Sequence, residues 1–140
     1  MKYSIIIVVV LALSCTSTPE LSDVNQLKGF WEIEKAETPY GVKSYKMNQM
    51  VDYIKVDDNK GFRKKMQPSL LGNYKSSKNR EYFEIEKQDD SLVMVYKNDY
   101  DTWTETLLQI EEDKFVVKNQ QSFIYTYRRH ETKNIDLDEE

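Results

Sequence analysis

From Leu27 to Arg129 the chain alternates apolar and polar residues with period two, and polar turns interrupt the alternation at intervals of roughly 8–12 residues. A period of two puts successive side chains on opposite faces of an extended backbone, so one face can be buried while the other meets water. The pattern predicts a meander of short antiparallel strands. The first covers about 28–37, with Gly29, Trp31 and Ile33 on one face and Glu32 and Glu34 on the other. A polar link around Thr38-Pro39-Tyr40-Gly41 leads to a second strand at about 50–56. Asp57-Asp58-Asn59-Lys60-Gly61 then turns into a third at 62–67. A short segment at 72–75 is a fourth. Further strands are expected at 80–87, 91–96, 102–111, 114–118 and 122–129, joined by Gln88-Asp89-Asp90, Asn98-Asp99-Tyr100-Asp101, Glu112-Asp113 and Asn119-Gln120-Gln121. No long stretch carries a 3.6-residue apolar stripe. Eight or nine sequential strands with short links close into an up-and-down barrel, which removes exposed edges; a two-sheet sandwich is the alternative closure.

The chain has 140 residues, with ten Tyr, four Gly and three Pro. Aromatic-rich composition suits a β protein, and the scarcity of Gly and Pro leaves the turns to Asn, Asp, Ser and Lys. The formal charge is −4. That argues against nucleic acid as a partner, which calls for a concentrated basic surface.

The N-terminus reads as a secretory signal over 1–14. Lys2 supplies a positive charge, Ile5 to Leu13 an apolar run, and Ser14 a small residue before Cys15. The run is far shorter than the roughly 20 residues of a membrane-spanning helix. A Cys directly after a small residue at such a boundary resembles the lipobox of bacterial lipoproteins, although the place three residues before it holds Ala12 between Leu11 and Leu13. The resemblance implies that Cys15 carries acyl chains such as palmitate, becomes the first residue of the mature protein and anchors it to a membrane. It implies an address in the cell envelope, on the periplasmic face of the outer membrane. Cys15 is the one cysteine in the chain, so the domain behind it is expected to fold without disulfides. Residues 15–27 read as a lipidated tether with one turn of helix at its end, capped from Ser22-Asp23 ahead of Val24. Residues 28–130 form the folded domain, and 131–140 an acidic tail without pattern.

Gly29-Phe30-Trp31 on the first strand and Tyr127-Arg128-Arg129 on the last resemble the lipocalin and lipocalin-like families, and the layout is similar to the lipocalin-like lipoproteins of Bacteroidetes-type bacteria. The resemblance implies that Trp31 closes one end of the barrel, that Arg128 or Arg129 packs across it beside Gly29, and that the interior takes a small ligand. A cation on an indole face is worth about 1 kcal/mol or more when desolvated. Trp31, Phe83, Trp103 and Tyr125 are the expected ligand-lining residues.

Reactive constellations are sparse. His130 is the one histidine and Cys15 the one cysteine, which leaves no metal-ligand set in the domain, and no cofactor is expected. Asp57-Asp58-Asn59-Lys60-Gly61 lacks the ligand spacing of a calcium loop. No nucleophile–base pairing appears. Glu105 shares parity with Trp103 and Leu107 and so points inward, where Arg128 or Arg129 is its expected partner. Arg63-Lys64-Lys65 sends charge to both faces of its strand, as a solvated or edge-protecting strand does; contact with anionic lipid near the anchor is the sharper reading. The sequence therefore points to a lipid-anchored, non-enzymatic barrel that binds a small hydrophobic or amphipathic molecule. An envelope interaction or inhibitor module with a filled barrel is the competing class.

Overall fold

The computed structural model describes residues 17–131. The proposed signal, Cys15 and most of the acidic tail lie outside that range. A 3-10 helix, Leu21–Leu27, is followed by ten strands: β1 (Gly29–Thr38), β2 (Gly41–Ser44), β3 (Val51–Asp57), β4 (Lys60–Pro68), β5 (Tyr74–Ser76), β6 (Glu81–Gln88), β7 (Ser91–Lys97), β8 (Thr102–Ile110), β9 (Lys114–Asn119) and β10 (Ile124–Arg129). All pair antiparallel. The ring runs β1-β3-β4-β6-β7-β8-β9-β10 and closes by pairing β10 back on β1. The expected up-and-down barrel is therefore what forms, with β2 and β5 as short additions hung on β1 and β4.

Turn chemistry sets the tight corners at one end. Asp58 and Asp89 take the left-handed conformation, with φ of 56° and 53°. That region is costly for most side chains but tolerated by Asp. The opposite end is irregular because β1 changes partner. Gly29–Trp31 pair with β3, whereas Lys35–Thr38 pair with β2. A bulge between Ile33 and Lys35 sits at the changeover and bends the strand away from β3. The Ile33 carbonyl thus left without a strand partner accepts from Asn48 Nδ2 at 2.8 Å. A second bulge, between Leu107 and Gln109, lets Leu107 and Ile110 both reach the core.

The core fills the lower barrel. Trp31, Ile54, Val56, Phe83, Ile85, Leu92, Met94, Tyr96, Leu107, Phe115 and Val117 are all nearly inaccessible to solvent. Val24 and Leu27 of the 3-10 helix join them. The helix is thus a plug on the barrel base, although its residues were expected within a tether. Its cap also differs from the expected one. Glu20 is the cap residue, and its backbone N–H donates to the Asp23 carboxylate at 2.9 Å. A smaller apolar cluster (Phe30, Val51 and Met66, with Tyr53 and Tyr74) lies on the outer face.

Candidate functional site

The two ends of the barrel differ in chemistry. At the base, Trp31 is completely buried and its indole Nε1 donates to the Leu27 carbonyl at 2.8 Å. Phe115 packs edge-on against it, 4.7 Å between ring centroids. The Arg129 guanidinium lies 3.8 Å from the Trp31 ring centroid and donates to the carbonyls of Gln26, Lys28 and Glu112. One side chain thereby ties the plug helix, β1 and the β8–β9 turn together. Gly29 makes room for it: its φ is +115°, and a Cβ there would lie 2.9 Å from Arg129 Nη1.

Arg129, not Arg128, is the residue on Trp31. Parity decides this, because Trp31 pairs with Arg129 across the ladder and adjacent residues point to opposite faces. Arg128 faces outward and pairs with Glu32 at 3.0 Å.

At the other end, a recess of about 470 Å³ opens between β8, β9 and β10. Trp103, Glu105, Asn119, Gln121, Tyr125 and Tyr127 line it, with Arg63 from across the barrel. Its floor is charged. Arg63 Nη2 donates to Glu105 Oε1 at 3.4 Å, and Arg63 Nε to Glu81 Oε2 at 3.1 Å. The guanidinium also sits 5.1 Å from the Tyr96 ring centroid. Tyr96 in turn stacks on Trp103, with centroids 5.2 Å apart and planes 2° from parallel. Asp52, only 3% exposed, faces the same interior and pairs with Lys65 Nζ at 2.7 Å.

Burial raises the Glu105 carboxyl above its ordinary range, and the charge and hydrogen bond of Arg63 only partly offset that. Burial likewise raises the Tyr96 and Tyr127 hydroxyls, so both stay protonated at neutral pH. Arg63 remains charged: burial disfavours its cation, but the surrounding groups outweigh that effect. Two oxygens of the set are buried and accept no hydrogen bond among the described residues: Asp52 Oδ1, which has the charge of Lys65 Nζ beside it, and Glu105 Oε2, which has no cation of its own.

Two of the four aromatic residues expected to line a ligand site, Trp103 and Tyr125, do line this recess. The other two require correction. Trp31 is sealed under Arg129 at the base, and Phe83, 4% exposed, is packed against Tyr96 in the filled core. Glu105 does point inward, but its partner is Arg63, because Arg128 and Arg129 are committed at the base and the outer wall. Nor is Arg63-Lys64-Lys65 on an edge strand: β4 sits inside the ring between β3 and β6. Of the three, Lys64 alone turns outward onto Tyr53. Arg63 reads from sequence as one of a basic run and not as a site residue, although its parity with Gly61 opposite Phe83 carries the signal.

His130 does not stand free at its strand end. Its Nε2 and the Tyr74 hydroxyl share a hydrogen bond of 2.8 Å, and Nδ1 lies 3.8 Å from Glu32. No group of three or more metal-ligating side chains gathers among the described residues.

No protein-family profile matches the sequence, and no curated protein does. Among solved structures the chain resembles a lipocalin-like protein from Bacteroides uniformis ATCC 8492. The TM-score is 0.46 at 9% identity, over 75% of this chain and 99% of that one.

Proposed function

We propose that this chain is an exported, lipid-anchored, non-enzymatic barrel that binds a small amphipathic molecule at its mouth. The observation that carries the reading is the charged Arg63–Glu105 floor beneath Trp103, Tyr125 and Tyr127, at the open end of an otherwise filled barrel. Small-molecule sites combine aromatic walls with a few convergent polar groups, and this recess has both. A wholly apolar ligand fits less well, because the lower interior is occupied by side chains and the recess is faced with charge.

Acylation of Cys15 gives the barrel an orientation. The plug helix packs on the base and follows the anchor in sequence, which supports a reading in which the base is turned toward the bilayer and the mouth away from it. Two or more acyl chains supply the stable anchoring that one alone does not.

Native mass spectrometry of the purified chain tests the reading. A retained small molecule that is lost in Trp103→Ala supports it, and ligand-free protein across varied growth conditions counts against it. One observation favours the interaction-module reading instead. Tyr40, Met47, Leu70, Leu71 and Tyr100 stand almost fully exposed on loops at the mouth end, as a protein-docking rim would.

A further inference from the structure

Carboxylates outnumber cations at and around the mouth. Arg63 and Glu105 line the recess together with Asp101, and around that floor Asp52, Glu81 and Glu105 pair with Arg63 and Lys65, three carboxylates against two cations, with Glu81 and Lys65 reaching solvent. The imbalance is felt most at Glu105. Its residue exposure is 8%, its Oε1 is taken by Arg63, and its Oε2 has no partner. A buried carboxylate oxygen without a donor is costly, and buried polar groups are paired in the great majority of cases. Lys65 does not relieve it, being 57% exposed and engaged with Asp52. Arg63 Nε and Nη2 are already engaged by Glu81 and Glu105.

From this we infer that the mouth selects a ligand bearing a cationic nitrogen next to a flat apolar group, with Glu105 Oε2 accepting from the nitrogen and Trp103, Tyr125 and Tyr127 flanking it. The inference rests on the mouth-binding reading above and names the ligand class for that site. An N⁺–H donor reaching Oε2 forms a charge-assisted hydrogen bond, stronger than a neutral one. The aromatic faces add attraction for the same charge. An anionic amphiphile such as a fatty acid meets the opposite situation, since its carboxylate would join three others. A bare metal ion is also a poor fit, because the described residues gather no set of three ligating groups there.

A matched series of small probes separates these cases in isothermal titration of the purified chain: 2-phenylethylammonium, 2-phenylethanol and phenylacetate, which share a ring and differ in charge. The ammonium is expected to bind about tenfold or more tighter than the alcohol, a difference of ~1.4 kcal/mol, with phenylacetate weakest. Glu105→Gln should bring the ammonium down to the alcohol's level, while thermal melting confirms that the variant is folded. The wild-type series stands without the variant should that protein fail to fold. Equal binding of alcohol and ammonium, a preference for phenylacetate, or a full ammonium preference retained in folded Glu105→Gln overturns the cation inference and leaves mouth binding intact. No binding by any probe up to about 10 mM, a free energy weaker than roughly −3 kcal/mol, overturns the mouth-binding reading itself.

Discussion

Arg128 and Arg129 are adjacent on one strand and chemically identical, yet their removal should differ several-fold in cost. Arg129→Ala deletes the donors to the Gln26, Lys28 and Glu112 carbonyls and uncovers the Trp31 ring. The guanidinium is partly open to water, so each carbonyl contact is taken near the low end for an ordinary hydrogen bond, ~0.7 kcal/mol after solvent exchange. Three carbonyls give roughly 2 kcal/mol, and the cation on the indole adds about 1. The expected loss is therefore ~3 kcal/mol, a large share of the 5–15 kcal/mol typical of a domain. Arg128→Ala removes a partly buried pair with Glu32 on the outer wall and one contact to the Lys46 carbonyl. Surface pairs of that kind contribute about 0.2–1 kcal/mol. Urea unfolding followed by tryptophan fluorescence measures both. At a slope of about 1.5 kcal/mol per molar, Arg129→Ala should lower the midpoint by ~2 M and Arg128→Ala by less than ~0.7 M. Equal shifts for the two variants, or a greater loss from Arg128→Ala, would refute the argument that the base is pinned through Arg129.

Gly29→Ala should destabilise by about 1–3 kcal/mol, because Ala is strained at a φ of +115° and its Cβ displaces the Arg129 guanidinium; the same unfolding assay checks it, and a neutral result would mean the base rearranges without loss. Glu105→Gln tests the sign of the burial effect. The folded carboxyl is raised above its unfolded value, so its contribution to stability is present at low pH and lost as pH rises through the folded value. Gln keeps the neutral form at every pH, and its stability relative to the parent should therefore improve as pH rises above the ordinary carboxyl range. A relative loss toward neutral pH would show instead that the ion pair with Arg63 dominates. Cys15→Ser should abolish acylation and move the protein out of the membrane fraction, so unchanged fractionation of that variant would refute lipid anchoring.

Period-two alternation marks most of the ring strands, because one face of each meets the core and the other mostly meets water. Trp31 with Ile33, Phe83 with Ile85, and Phe115 with Val117 are the inward residues of such strands. β2 escaped notice for the same physical reason. Gly41–Ser44 are exposed on both faces, so no burial imposes an alternation, and its pairing with β1 comes from backbone hydrogen bonds alone. The candidate site was half legible. The parity that turns Glu105 inward also places Trp103, its neighbour two residues back on β8. Arg63 was hidden because a charged residue beside two lysines reads as surface, and only closure of the ring brings β4 opposite β8. The buried role of Val24 and Leu27 was illegible for a related reason. A 3-10 helix of seven residues is too short to show a stripe, and its packing depends on a barrel base built from distant strands.

The β1–β10 seam has a consequence for the order in which the molecule is made. Glu32 and Arg128, which meet across it, are 96 residues apart, and Arg129 reaches Gln26 across 103. Every other neighbour pair in the ring joins strands that lie close in sequence and can form as the chain lengthens. The seam joins the first ring strand to the last and so cannot form before β10 is made. Until Ile124–Arg129 emerges, β1 and β9 each present an unpaired edge of backbone donors and acceptors, and the plug helix has no Arg129 to hold it. Contacts of such long separation form slowly, because the intervening loop must close before any bond rewards it. Until the seam closes the strands can form only an open, curling ribbon, and truncation before Ile124 should yield an aggregating species rather than a smaller barrel.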